Sequence, residues 1–235
     1  FYSQITALLG MDWGFDAYKI MGLAPYGKPE LSIDRIKQII DIDKTNPLKF
    51  RNKIDAYMHT MQPKLRELLK KDRFDNIAAA TQSWFETLIT KWVSNAVEKT
   101  GIRKSACAGG SFLNVKANRK ILSLDDIDDA FFCPAASDEG LAVGAALKGY
   151  FEIALRDGIK PIKEPLKSNY FGSSFTNDQI KEVLKNHDML DKAQYVDDID
   201  DEVGELLATS DMVVARFSGR LEWGPRALGN RSILA

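Results

Sequence analysis

Histidine and cysteine are almost missing from this chain, with two of each in 235 residues. His59 and His187 stand far apart in helix-forming segments with no Cys or carboxylate at ligand spacing, so any histidine-based metal site needs residues beyond these. Cys107 and Cys133 lie in short apolar stretches beside small residues. That setting suits reduced, buried thiols in a cytoplasmic protein rather than a disulfide framework. Net charge is missing too: 32 Lys and Arg stand against 33 Asp and Glu, which leaves no general attraction for nucleic acid or anionic lipid. No apolar run approaches the roughly 20 residues a membrane span needs, and no Ser-His-Asp or Cys-His nucleophile pattern is present.

What remains is an ordinary globular composition, 45% apolar and 28% charged, enough for one good core and the beginning of a second. Apolar residues at helical spacing mark segments around 33–40 and 54–69, the second interrupted by Pro63, which is expected to end or kink it. The clearest helix is expected over 76–99, where Ile77, Ala80, Trp84, Leu88, Trp92 and Ala96 form one stripe and Gly101 supplies the stop. Strand, turn and helix then follow twice: a strand over 105–108, Gly109-Gly110 and a helix over 112–122; a strand over 130–133, a turn over 134–137 and a helix over 138–155. A Pro- and Lys-rich stretch over 157–172 reads as a linker. Helices over 178–186 and 199–209 and a strand over 212–217 follow. The fold class is α/β. The chain opens in mid-helix and stops within a strand, so it is expected to be an internal piece of a longer protein, inactive by itself.

Four places could carry chemistry. The stretch 219–233 sets Arg220, Arg226 and Arg231 among turn-forming Gly and Pro. Guanidinium forks match phosphate or carboxylate oxygens, and a tight backbone lets them converge, so this reads as an anion-binding loop; a solvated turn has the same composition. Gly109-Gly110-Ser111 sits where a strand meets a helix, suited to a phosphate on exposed N–H groups or to close helix–strand packing. Asn114 and Asn118 lie one turn apart on the helix that follows and could face a base or sugar. Asp138 falls at an expected helix N-cap, and equally where a metal or phosphate-site carboxylate would stand. Lys19 precedes the loop Met21–Gly27 and could reach a phosphate or simply lie exposed. The Trp84 and Trp92 stripe reads as packing.

Taken in order, four stretches resemble the carbamoyltransferase family that includes nodulation-factor and antibiotic O-carbamoyltransferases: YKIMGLAPYG at 18–27, AGGSFLNV with Ala117-Asn118 at 108–118, PAASDEG with GAAL at 134–147, and GPRALGNRSIL at 224–234. The chain departs from the family pattern at Asp16-Ala17 and at Ser111-Phe112. The resemblance implies an actin/sugar-kinase-like (ASKHA) nucleotide-binding domain related to the universal tRNA threonylcarbamoyl transferase, of which residues 1–163 would be the latter part. Residues 164–235 would open a domain resembling threonylcarbamoyl-adenylate synthase. It implies transfer of a carbamoyl group from carbamoyl phosphate, through ATP-dependent carbamoyl-adenylate, to a hydroxyl of a sugar, antibiotic or similar small molecule. By position it carries nucleotide contact to Gly109, Gly110 and Asn114, phosphate contact to Arg226 and Arg231, and a metal ligand, to iron, to Asp138; magnesium would accompany ATP. Two other readings are tRNA threonylcarbamoylation, which the Arg226 loop and the missing basic excess disfavour, and a non-catalytic nucleotide-binding module.

Overall fold

A computed structural model describes residues 1–235, apart from the side chain of Met58. The chain divides into two compact units, residues 1–138 and 139–235.

In the first unit, α1 (Tyr2–Leu8), α2 (Ala17–Leu23) and α3 (Ile33–Ile36) lead into an antiparallel hairpin of β1 (Ile40–Ile42) and β2 (Phe50–Asn52), with Ile42 opposite Phe50. The helix expected over 54–69 is shorter, α4 (Met61–Leu69). Pro63 lies in its first turn, where a missing N–H costs nothing, so it helps begin this helix rather than ending it. α5 (Phe74–Thr100) then runs 27 residues, about 40 Å at the α-helical rise. It ends where expected: Gly101 takes a left-handed conformation (φ 69°) and donates its N–H to Val97 O at 2.7 Å.

This helix carries both cores of the unit. Its first half packs Ile77, Ala78 and Ala80 with Ile5, Ile20, Ile36, Ile39 and Leu65, while its second half packs Ile89 and Val93 with Ala117, Ile121 and Ile127. Trp84 and Trp92 are packing residues with a polar handle: their indole N–H groups donate to Ile40 O (2.9 Å) and Leu48 O (2.8 Å), clamping the hairpin to the helix. Beyond α5, β3 (Lys104–Cys107) and β4 (Asp129–Phe132) pair in parallel, Cys107 opposite Phe132, with α6 (Val115–Leu122) as the crossover. Both cysteines are free thiols, and burial pushes the Cys107 thiol pKa up.

The second unit contains α7 (Gly140–Arg156), α8 (Asn177–Asn186), α9 (Ile199–Thr209) and an antiparallel pair, β5 (Val214–Phe217) with β6 (Arg231–Leu234), Phe217 opposite Arg231. A full capping box opens α8: the Thr176 hydroxyl accepts from Gln179 N, and the Gln179 side chain accepts from Thr176 N. Ala154 is the one buried residue among those described in this unit. Among the described residues no helix is long and apolar enough to cross a membrane.

Candidate functional site

Parallel pairing of β3 and β4 sets their C-terminal ends side by side, which is where ligands of open α/β sheets collect. The glycine turn follows β3, and residues 134–138 follow β4. Gly109 stands at φ 105°, ψ 151°, a region that essentially only glycine enters, and its N–H donates to Ala136 O at 2.6 Å. The two turns are thus tied together by backbone. A Cβ on Gly110 would lie 3.7 Å from the Ser137 hydroxyl. Gly110 and Ser111 then open a 3-10 turn, Gly110–Leu113, and are exposed, so their N–H groups are the ones this turn presents.

Asn114 is buried and committed. Its carbonyl oxygen caps α6 by accepting from Ala117 N (3.0 Å), and it exchanges two hydrogen bonds with Gln82 of α5, at 3.0 and 2.9 Å. Gln82 also donates to Glu86 (2.7 Å) and accepts from the Tyr2 hydroxyl (2.6 Å), while Lys120 pairs with Glu86 at 2.6 Å. The buried polar cluster therefore bolts the helix after the glycine turn onto α5. Asn118 donates to Phe112 O at 2.8 Å, bracing the same turn.

Asp138 is exposed at the end of the second turn. It does not cap α7: the N-cap is Glu139, already in helical conformation, with no side-chain cap bond. Among the described residues, no three His, Cys, Asp or Glu side chains converge as a metal site would require.

Lys19 is half exposed and paired with Asp16 at 2.9 Å. Their hydrogen bond raises the lysine pKa and lowers that of the carboxyl. Gly27, which closes the same motif, has a packing reason: a Cβ there would collide with the Asp75 carbonyl and the Asn76 N–H at the start of α5. Lys28 N donates to the Asn76 side chain beside it (2.8 Å).

The arginine loop is built within the second unit. One wall is Asn169–Gly172, part of the expected linker: Trp223 N donates to Asn169 O (2.6 Å), Gly172 N to Leu221 O (3.1 Å), and Tyr170 bridges Glu222. The Tyr170 hydroxyl donates to Leu228 O (3.0 Å), and Phe171 packs on Trp223 with ring centroids 5.8 Å apart. Arg231 braces the strand exit. Its guanidinium donates to Ser218 O (2.8 Å), Asn230 O (2.7 Å) and Gly219 O (3.4 Å), and lies 3.2 Å from the centroid of the Phe217 ring. Arg226 is half-buried, between Gly224 (φ 116°) and Gly229 (φ 108°).

Residues 1–147 match the family model described as carbamoyltransferase N-terminus, and residues 205–235 match the one described as carbamoyltransferase C-terminus. The chain belongs to the carbamoyltransferase family. It is 32% identical to nodulation protein NolO of Bradyrhizobium diazoefficiens, covering 100% of this chain and 42% of that protein. It is 31% identical to nodulation protein NolNO of Sinorhizobium fredii, covering 94% of this chain and 32% of that one. An uncharacterized protein of Methanocaldococcus jannaschii is 31% identical over 100% of this chain and 38% of its own length. The chain thus spans less than half the length of each of these relatives. The glycine turn and Asp138 lie in the N-terminal match and the arginine loop in the C-terminal match, whereas Asn169–Gly172, which walls the loop, lies outside both.

Proposed function

We propose that the whole protein is an O-carbamoyltransferase that uses carbamoyl phosphate and ATP to carbamoylate a hydroxyl of a small molecule such as a sugar or antibiotic. The observation that carries this reading is that an arginine-bearing, glycine-closed loop stands on the same family chain as a glycine turn with exposed N–H groups. In the reading, residues 164–235 open the adenylate-forming domain and residues 1–163 belong to the ASKHA-like transfer domain. Water releases phosphate from carbamoyl phosphate, the resulting carbamate oxygen attacks the α-phosphorus of ATP, and pyrophosphate leaves. The acceptor hydroxyl then attacks the carbamoyl carbon and AMP leaves.

Arg226 is the cation assigned to the phosphate or carbamate oxygens, because a guanidinium stabilises the charge that builds on transferring phosphoryl and acyl groups. Arg231, whose donors hold the Ser218, Gly219 and Asn230 carbonyls, braces the base of the same loop. Gly110 and Ser111, which follow Gly109, offer their N–H groups to the nucleotide; Asn114 keeps that turn in place rather than reaching out of it. Lys19 would add charge at the nucleotide phosphates. Asp138 could give a metal, iron or magnesium, one oxygen ligand from this chain; the described residues do not complete a site, and no step is routed through it.

The test is pyrophosphate release by the full-length protein with ATP, carbamoyl phosphate and a hydroxyl acceptor. Arg226→Ala should lower release by on the order of a hundredfold, as removal of one charge-stabilising donor does. Asp138→Ala should spare release but reduce carbamoylation of the acceptor. A folded, ATP-binding protein that releases no pyrophosphate would make this a nucleotide-binding module instead.

A further inference from the structure

We propose that Glu222 is the positioning residue of the arginine loop, holding Gly224–Arg231 in the shape that presents Arg226. This rests on the role given to Arg226 above. One carboxylate oxygen, Oε1, accepts three backbone N–H groups: Leu228 at 2.9 Å, Asn230 at 2.6 Å and Arg231 at 3.4 Å. These donors come from the far limb of the loop and Glu222 from the near limb, so the bonds close the loop across its base. Charge assistance makes them roughly twice as strong as neutral hydrogen bonds.

The anchor itself is held. Glu222 is bridged to Tyr170, and the residues on either side of it bond to Gly172 and Asn169. The Tyr170 hydroxyl grips the carbonyl of Leu228, the residue whose N–H Glu222 accepts. Both faces of the Leu228 peptide region are therefore fixed by one bridged pair of residues. Between the limbs, Gly224 and Gly229 both take positive φ, which lets the chain fold over a side chain that short. Glu222 touches no reacting atom in this scheme; it acts through Arg226.

A competing role for the same geometry is that Glu222 occupies a seat of N–H donors that a substrate oxyanion needs. The two roles predict opposite effects of removing it. In the full-length protein, Glu222→Ala should reduce kcat/KM for carbamoyl phosphate by about thirtyfold, within the range that an ångström-scale misplacement produces. It should also speed hydrogen exchange in peptide 224–231 while leaving β5 protected. Glu222→Gln keeps an acceptor oxygen and should stay within about fivefold of wild type, since neutral acceptors make the same bonds at about half strength. Unchanged exchange and kinetics in Glu222→Ala would overturn the proposal. So would a lower KM for carbamoyl phosphate, the signature of a displaced competitor, or a Gln variant as impaired as Ala with the loop still protected. If Glu222→Ala does not fold, the Gln variant carries the test. If wild type releases no pyrophosphate, the functional reading fails, and exchange in peptide 224–231 still decides what Glu222 does to the loop.

Discussion

The glycine turn and the arginine loop are the two candidate sites of this chain, and they are held by opposite means. The glycine turn rests on a packed core: Ile89 and Val93 of α5 meet Ala117 and Ile121 of α6, and a buried amide pair, Gln82 and Asn114, locks the two helices together. There the side chains are spent on structure, and the exposed chemistry is left to main-chain N–H groups. The arginine loop has almost no buried neighbours. In its unit Leu141, Leu147, Ile153 and Leu155 of α7 are more than half exposed. Charged side chains, Glu222 and Arg231, therefore hold the loop through hydrogen bonds to backbone. Where a core does the holding, polar side chains can be lost only at the cost of burial; where it does not, they are the scaffold itself.

Core deletion should break this comparison most visibly. Ile121 is fully buried, so Ile121→Ala is expected to cost about 2–5 kcal/mol, transfer and cavity together. Ile153, 53% exposed in α7, should cost under about 0.5 kcal/mol on the same change. Urea denaturation of both variants measures the contrast, and equal losses would mean that α7 is packed as tightly as α6. Next comes Asn114→Ala, which removes a helix cap and two of the hydrogen bonds of the buried Gln82 amide, for about 1–3 kcal/mol in the same denaturation assay.

In the arginine loop, Arg231→Lys should cost about 1 kcal/mol, because an ammonium cannot reproduce a planar fork that spans three carbonyls and covers the Phe217 ring. Faster hydrogen exchange at Ser218–Gly219 and at Asn230 would locate the effect.

The smallest expected effect is acid sensitivity in the first unit. Burial raises the Asp72 carboxyl pKa, but Arg35 and Ser32 outweigh it and hold the group below its ordinary value. A depressed folded pKa means that stability is present above about pH 4, the unfolded carboxylate value, and is lost as pH falls through the lower folded one. Arg35→Met should therefore flatten the loss of melting temperature between about pH 4 and 2. An unchanged slope would assign the acid response to other carboxylates, Asp75 and Asp43, which are also held low.

Much of the fold was legible because it is local. The helical stripe and the Gly101 stop mark α5 to within two residues, and α9 has the expected bounds. The first strand-turn-helix unit appears as β3 with α6, and β4 and α7 follow it in chain order. The hairpin of β1 and β2 was not legible: three-residue strands are too short for an alternating pattern, and Trp84, Trp92 and Asn95 of α5, more than 40 residues away, hold it down. Pro63 looked like an interruption and sits in a first turn, since only the neighbours of α4 decide where that helix begins.

The candidate sites divide in the same way. Their residue types, Gly-Gly after a strand and Arg between Gly and Pro, announce backbone freedom and cationic forks, and that much is chemistry carried by each residue alone. The sequence by itself determined which segments are helical, where they stop, and where glycine permits a tight approach, because those preferences act within a few residues. Only the tertiary structure decided that Asn114 belongs to Gln82, that Gly27 lies against Asp75, that Asn169–Gly172 walls the arginine loop, and that Glu222 closes it. Hydrogen bonds and close packing depend on which groups meet in space, and residues dozens of positions apart carry no local sign of meeting.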